Sequence, residues 1–310
     1  VASAAAHGGA VPAASRGDVR RLARRAPLSP NPFLIEAAIA ATENKDAVAE
    51  RLLLAARDRD PRSRATRFLL ADRYLRTNRV TDALVEMQVL VGLHERGSEP
   101  FFPMLVAYAR TPGSARYLKP FFKQYPRIES AVLSALAVDA GNADLVLSLA
   151  SGRKPEPDWR GPLVSALVAA GDYSKAYATW RRINAVQSPP GLFNPSFAET
   201  GAPGPFDWHF PQTPEGIAEP DGKGGLDVLY YGRAHAVLAS QLLFLDTGRY
   251  ELAHRVADAS GDAGSLHWVA RCAEPAAVLP DVPLPVEGVR LGFRVTAGCN
   301  GVWLELQGVP

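Results

Sequence analysis

From Asp18 to about Gln187 apolar residues recur every three or four positions, the spacing of helices that bury one face. Beyond Gly191 the spacing falls toward two, with short apolar runs set off by Gly, Asp and Pro clusters. The change comes near Ser188-Pro189-Pro190-Gly191 and predicts three segments: a flexible lead over residues 1–17, a helical solenoid over 18–187 and a β-sandwich over 188–310. The fold class expected is therefore multidomain α + β.

The helical part repeats itself. Ala37 and Ala71, Asn44 and Asn78, Ala49 and Ala83, and Ala56 and Leu90 each stand 34 residues apart. A turn residue is followed five positions later by Ala and four later by a large apolar group, as Asn44, Ala49, Leu53, then Asn78, Ala83, Met87, and again Gly171, Ala176, Trp180. The small residue lets two helices approach closely, and Asn or Gly tolerates the left-handed backbone that ends a helix. About five hairpins are expected, preceded by a short basic helix from Asp18 to Ala26. Pro100 to Pro126 and Arg127 to Gly152 read as two of the pairs without that spacing, and Pro120 is expected to interrupt the helix holding Phe121 and Phe122.

Over Pro30 to Glu95, and again over roughly Glu156 to Ile183, these residues resemble the tetratricopeptide repeat family. The resemblance implies an adaptor with a protein partner on its concave surface.

In the second part, strands are expected over Leu226 to Tyr231, Val237 to Leu245, Tyr250 to Val256, Leu266 to Cys272, Val289 to Val295 and Val302 to Leu306. Alternation fails at Leu242-Leu243, which predicts a bulge or a strand buried on both faces. Phe193-Asn194-Pro195-Ser196-Phe197, then Phe206-Asp207-Trp208 and Leu245-Asp246-Thr247-Gly248-Arg249-Tyr250, resemble elements of jelly-roll carbohydrate-binding modules. Ala198 stands where that family carries an acid, with Glu199 one place later, a shift that turns the carboxylate to the other face of a strand. No metal site is assigned.

Sugar recognition needs flat aromatic faces beside groups that bond hydroxyls. Trp208, Tyr230, Tyr231, Arg233, His235 and Gln241 are the candidates, set against core packing for Trp208 and one of the two tyrosines. Tyr231 shares its parity with Leu229 and Tyr230 with Val228, which leaves open which face points inward.

Charge sharpens the division. The net charge of +2 conceals 27 Lys and Arg against 18 Asp and Glu up to Gln187, a balance of +9, and 7 against 14 beyond it, a balance of −7. Opposite fields of this size bear on association rather than fold. The arginines are spread over many helices without a nucleic-acid signature, so nucleic acid is not an expected partner. Arg20, Arg21, Arg24 and Arg25 cluster; they are read as a solvated helix face, with anionic lipid or polysaccharide as the alternative.

No serine-nucleophile elbow, HExxH, P-loop or dinucleotide fingerprint is present. Gly222-Lys223-Gly224-Gly225 lacks a following helix and reads as a hairpin loop, while Asp207 and Glu219 are the nearest thing to a glycosidase pair. No enzyme activity and no cofactor are expected. Cys272 and Cys299 have no zinc or redox spacing and are read as a disulfide, with two buried thiols as the alternative.

No apolar run is long enough to span a bilayer. The whole arrangement resembles bacterial envelope proteins that accompany exopolysaccharide assembly and export, which implies a periplasmic or cell-envelope location and a segment upstream of Val1 that was an anchor or signal. The function expected is a non-catalytic scaffold that engages protein through its helices and glycan through its strands. A purely protein-binding adaptor with the strands as a cap is the alternative, and a glycoside-active enzyme the third.

Overall fold

A computed structural model describes residues 15–93, 102–153, 156–187, 190–198, 202–261, 263–274, 278–283 and 290–310. Most of the expected lead lies outside these residues, and its last three, from Ser15, open the first helix. The described residues hold eleven α-helices followed by antiparallel strands. None of the described helices is long and apolar enough to cross a membrane. The chain forms two compact units, divided between Val132 and Leu133.

The first unit contains α1 (Ser15–Arg25), α2 (Asn31–Thr42), α3 (Asp46–Arg59), α4 (Arg64–Arg76), α5 (Val80–Gly92), α6 (Phe102–Ala109), α7 (Ala115–Gln124) and the start of α8 (Pro126–Ala137). The 34-residue period is visible in atomic detail. Asn44 and Asn78 both take φ 57°, and behind them Lys45 N–H donates to Ala40 O at 2.8 Å and Arg79 N–H to Tyr74 O at 2.7 Å. Asn pays less than most residues for the left-handed conformation, so the same residue ends α2 and α4 in the same way. The hairpins close on Ala37, Leu53, Leu70, Tyr74 and Ala83.

Carboxylates tie these helices together. Glu86 of α5 is 1% exposed and accepts hydrogen bonds from Arg57 of α3 at 2.9 Å and Arg67 of α4 at 2.5 Å. Glu50 of α3 accepts from Arg73 at 2.8 Å and Arg79 at 2.5 Å. Burial by itself raises the Glu50 pKa, but the hydrogen bonds and charges of Arg73 and Arg79 outweigh it and hold the group below the ordinary carboxylate value.

Pro120 does not interrupt its helix, contrary to expectation. α7 runs through it, losing one backbone donor, because Leu118, Phe121 and Phe122 anchor both sides of the proline in the core.

The second unit holds the rest of α8, α9 (Ala143–Leu149), α10 (Arg160–Ala169), α11 (Tyr173–Ile183) and the strands β1 (Gly216–Pro220), β2 (Leu226–Tyr230), β3 (Ala236–Phe244), β4 (Gly248–Ala253), β5 (Leu266–Cys272), β6 (Val278–Pro283), β7 (Arg290–Val295) and β8 (Gly301–Gly308). The α10–α11 turn repeats the device of the first unit. Gly171 takes φ 75°, Asp172 N–H donates to Leu167 O at 3.1 Å, and the Asp172 carboxylate caps α11 by accepting from Lys175 N–H at 3.0 Å. Trp180 of α11 is fully buried, with ring centres 4.9 Å from Phe193 and 5.6 Å from Phe206, and Tyr177 lies 5.2 Å from Phe244 of β3.

The strands form a four-stranded sheet in the order β3-β8-β5-β6 and two two-stranded sheets, the β1-β2 hairpin and the non-consecutive pair β4-β7, all antiparallel. Leu243, Trp268, Leu291, Phe293, Val302 and Leu304 share one core between the four-stranded sheet and β4-β7. Of the two expected causes of the break at Leu242-Leu243, burial on both faces is the one found, since β3 is buried almost throughout; its register with β8 is unbroken from Ala239 to Phe244 and shifts instead between Val237 and Ala239. β4 stops at Ala253, so Val256 lies past the strand, and β1 and β6 are strands that were not anticipated. Cys272 and Cys299 form the expected disulfide, with Cα atoms 5.5 Å apart, joining the end of β5 to the loop before β8.

Candidate functional site

The β1–β2 hairpin presents an open face. Gly216 to Pro220 pair with Tyr230 to Leu226, so Ala218, Val228 and Tyr230 point inward, where they pack with Ala236 and Leu238. The outward set places Ile217 opposite Leu229 and Glu219 opposite Asp227. Pairing continues one residue past β2, where Tyr231 N–H donates to Glu215 O at 2.9 Å, and Tyr231 takes the outward side with Leu229. Leu229 is 55% and Tyr231 48% exposed. The Arg233 guanidinium stands 5.9 Å from the centre of the Tyr231 ring, a cation–π distance that orients a five-donor group at the edge of an aromatic face.

The connecting loop is held by its own backbone. Asp221 accepts from Lys223 N–H at 2.7 Å and Gly225 N–H at 2.8 Å, and these bonds lower its pKa. Gly222-Lys223-Gly224-Gly225 is thus the hairpin loop it was expected to be.

The remaining candidates are differently placed. Tyr230 lies flat over Gly308, where a Cβ would come within 2.4 Å of its ring, and its hydroxyl donates to Ala234 O at 2.9 Å. Trp208 is partly buried among Phe197, Phe210 and Trp268, with ring centres 5.0, 6.4 and 6.0 Å away, and its indole N–H donates to Asn194 O at 2.9 Å. Gln241 is fully buried; its amide accepts from Phe193 N–H at 3.1 Å and donates to Phe193 O at 2.8 Å. That two-point pairing occupies the side chain and fastens the segment after α11 to the core. His235 is exposed and its Nε2 lies 2.8 Å from Gln307 Oε1. Of the six candidates, Tyr231 and Arg233 come together on one open surface.

Sequence reasoning missed a polar chain on the outer side of the four-stranded sheet. Arg271 donates to the buried Glu305 at 3.1 and 2.5 Å, Gln307 donates to Glu305 at 2.7 Å, and Gln307 meets His235. The alternation Trp303, Glu305, Gln307 along β8 was the available signal, since it puts these residues on the face opposite Val302, Leu304 and Leu306.

His254, just past β4, has no hydrogen-bond partner for either ring nitrogen among the described residues, and burial lowers its pKa. Its ring centre lies 6.5 Å from that of Trp268.

The Asn194 amide closes a tight loop, accepting from Ala198 N–H at 2.9 Å and donating to Ala198 O at 2.6 Å. Glu199 lies outside the described residues. Asp207 accepts from Trp208 N–H at 2.8 Å, and Glu219 faces Asp227 across the hairpin. Among the described residues no group of three or more His, Cys, Asp and Glu is placed to hold a metal ion. No protein-family model matches the chain, and no characterised protein matches its sequence.

Proposed function

We propose that the protein is a non-catalytic scaffold of the bacterial cell envelope whose β module binds glycan through the outer face of the β1–β2 hairpin, while its helical repeats hold a protein partner. The observation that carries this reading is the pairing of Tyr231, 48% exposed, with Arg233 at 5.9 Å. An exposed phenol ring offers the apolar side of a pyranose a flat partner, and a guanidinium beside it supplies donors for the hydroxyls. Leu229 extends the apolar floor.

The tetratricopeptide reading draws support from the 34-residue recurrence of the Asn44 and Asn78 turns. The jelly-roll reading draws support from the antiparallel sheets sharing one core, and the periplasmic reading from the disulfide. Exopolysaccharide assembly or export is the setting in which a soluble surface for glycan and a repeat surface for protein serve one task.

Affinity electrophoresis of the full chain in gels containing neutral and acidic polysaccharides tests the glycan role. Retardation in at least one gel is expected, and it should be lost in Tyr231→Ala. Unretarded migration of the folded protein in every gel favours the second reading, a protein adaptor with the strands as a cap. The observation behind that alternative is the packing of Trp180 and Tyr177 on Phe193, Phe206 and Phe244.

A further inference from the structure

Helix α1 has one face packed into the fold and another that is exposed among the described residues. Val19 is buried against Ile35 and Ile39 of α2. At 100° per residue, Arg21, Arg24 and Arg25 fall on the opposite side, and all three are exposed. Arg16, Arg20, Arg21, Arg24 and Arg25 oppose a single acid, Asp18, which is paired with Arg21. Two exposed leucines border this ridge: Leu22, 42% exposed, and Leu28 in the turn after the helix, 82% exposed. Arg59 of α3 donates to Pro27 O at 2.9 Å, which sets a further cation beside Leu28.

We propose that this face of α1, with the Leu28 turn, docks on an anionic lipid surface. Charge complementarity selects a negative partner, because a run of arginines attracts acidic headgroups within a Debye length. The leucines select lipid over a soluble polyanion: an acidic polysaccharide or nucleic acid has no apolar depth in which Leu22 and Leu28 could both be buried, whereas the headgroup boundary of a bilayer lets both side chains leave water between the arginines. The helix stays folded on α2 and adsorbs by its basic side, without spanning the membrane. The site is separate from the β1–β2 hairpin and does not depend on glycan binding.

The test is co-sedimentation of the full chain with vesicles of phosphatidylglycerol and phosphatidylcholine, against vesicles of phosphatidylcholine alone. Binding is expected to the first and not the second, and to fall sharply between 0.1 and about 0.5 M salt. Arg21→Ser/Arg24→Ser/Arg25→Ser should weaken it about a hundred-fold, at roughly five-fold per arginine. Leu22→Ser/Leu28→Ser should weaken vesicle binding about ten-fold or more while leaving retention on heparin unchanged. The substituted side chains are exposed, and an unchanged far-ultraviolet circular dichroism spectrum verifies folding. No binding of the folded parent to the anionic vesicles overturns the proposal; so does a leucine variant that binds them as well as the parent, which would mark the patch as a general polyanion site.

Discussion

Asn44 and Asn78 lie 34 residues apart and adopt the same left-handed conformation, each at φ 57° and each followed by a residue whose N–H reaches back across the helix end. Placing Val at position 78 forces a β-branched side chain into that conformation and should cost about 1–2 kcal/mol, whereas Asn78→Gly should change stability by a few tenths of that at most. Urea unfolding followed by circular dichroism separates the two. Equal losses for both substitutions would mean that the Asn side chain, not its backbone, matters.

The buried carboxylate Glu86 couples three helices. Glu86→Ala leaves Arg57 and Arg67 facing an empty site, 32% and 13% exposed, and should destabilise the first unit by about 3–5 kcal/mol. Glu86→Ala/Arg57→Met/Arg67→Leu should recover much of that loss, because the cost comes from stranded charges rather than from a missing attraction. Chemical denaturation of both variants reads the difference.

Acid acts on the two units in different windows. The folded pKa of His254 lies below its usual 6.5, so its contribution is complete above that value and is lost as pH falls from there toward the folded pKa. For Glu50 the folded pKa lies below the usual 4.5, so its contribution is present above that value and is lost only at lower pH. His254→Phe should flatten the stability profile between about pH 5 and 7, and Glu50→Gln the profile below it. Thermal melts in a pH series, with tryptophan emission reporting on the neighbourhood of Trp268, give both slopes.

The disulfide closes a separation of 27 residues, which corresponds to about 3–4 kcal/mol of restricted unfolded-state freedom. Cys272→Ser/Cys299→Ser should lower the unfolding free energy of the β module by that amount and make it insensitive to reductant. A parent protein whose stability does not respond to reduction would contradict this.

Much of the fold was legible because its signals are local. The turn residues Asn44, Asn78 and Gly171 carry the helix ends with them, and β5 has the expected bounds, Leu266 to Cys272. What escaped depends on long-range packing. β1 is a short strand with Gly at one end and Pro at the other, and it is held by register with β2 rather than by its own propensity. The aromatic face of α11 reads as helix core, yet Trp180 and Tyr177 are completed by Phe193, Phe206 and Phe244, which follow the change in periodicity. For the candidate site, the pair Tyr230-Tyr231 announced that one ring faces out. Only the partners could decide which: Gly308 admits Tyr230 because it has no side chain, and Tyr231 is left with Arg233. Gln241 looked like a hydroxyl-binding amide and is instead spent on the Phe193 backbone, a role that no spacing rule discloses.

Gln241 and Tyr231 consequently part ways under mutation. Gln241→Ala leaves the Phe193 N–H and C=O without their side-chain partners and should cost about 2–3 kcal/mol, while Tyr231→Ala, at an exposed ring, should stay within about 0.5 kcal/mol of the parent. The central claim rests on the second of these. Affinity electrophoresis of Tyr231→Ala beside the parent, in the polysaccharide gel that most retards the parent, is its most direct test. Loss of retardation with an unchanged melting temperature is the predicted result; a Tyr231→Ala protein retarded as strongly as the parent would contradict the assignment of the β1–β2 face as the glycan surface.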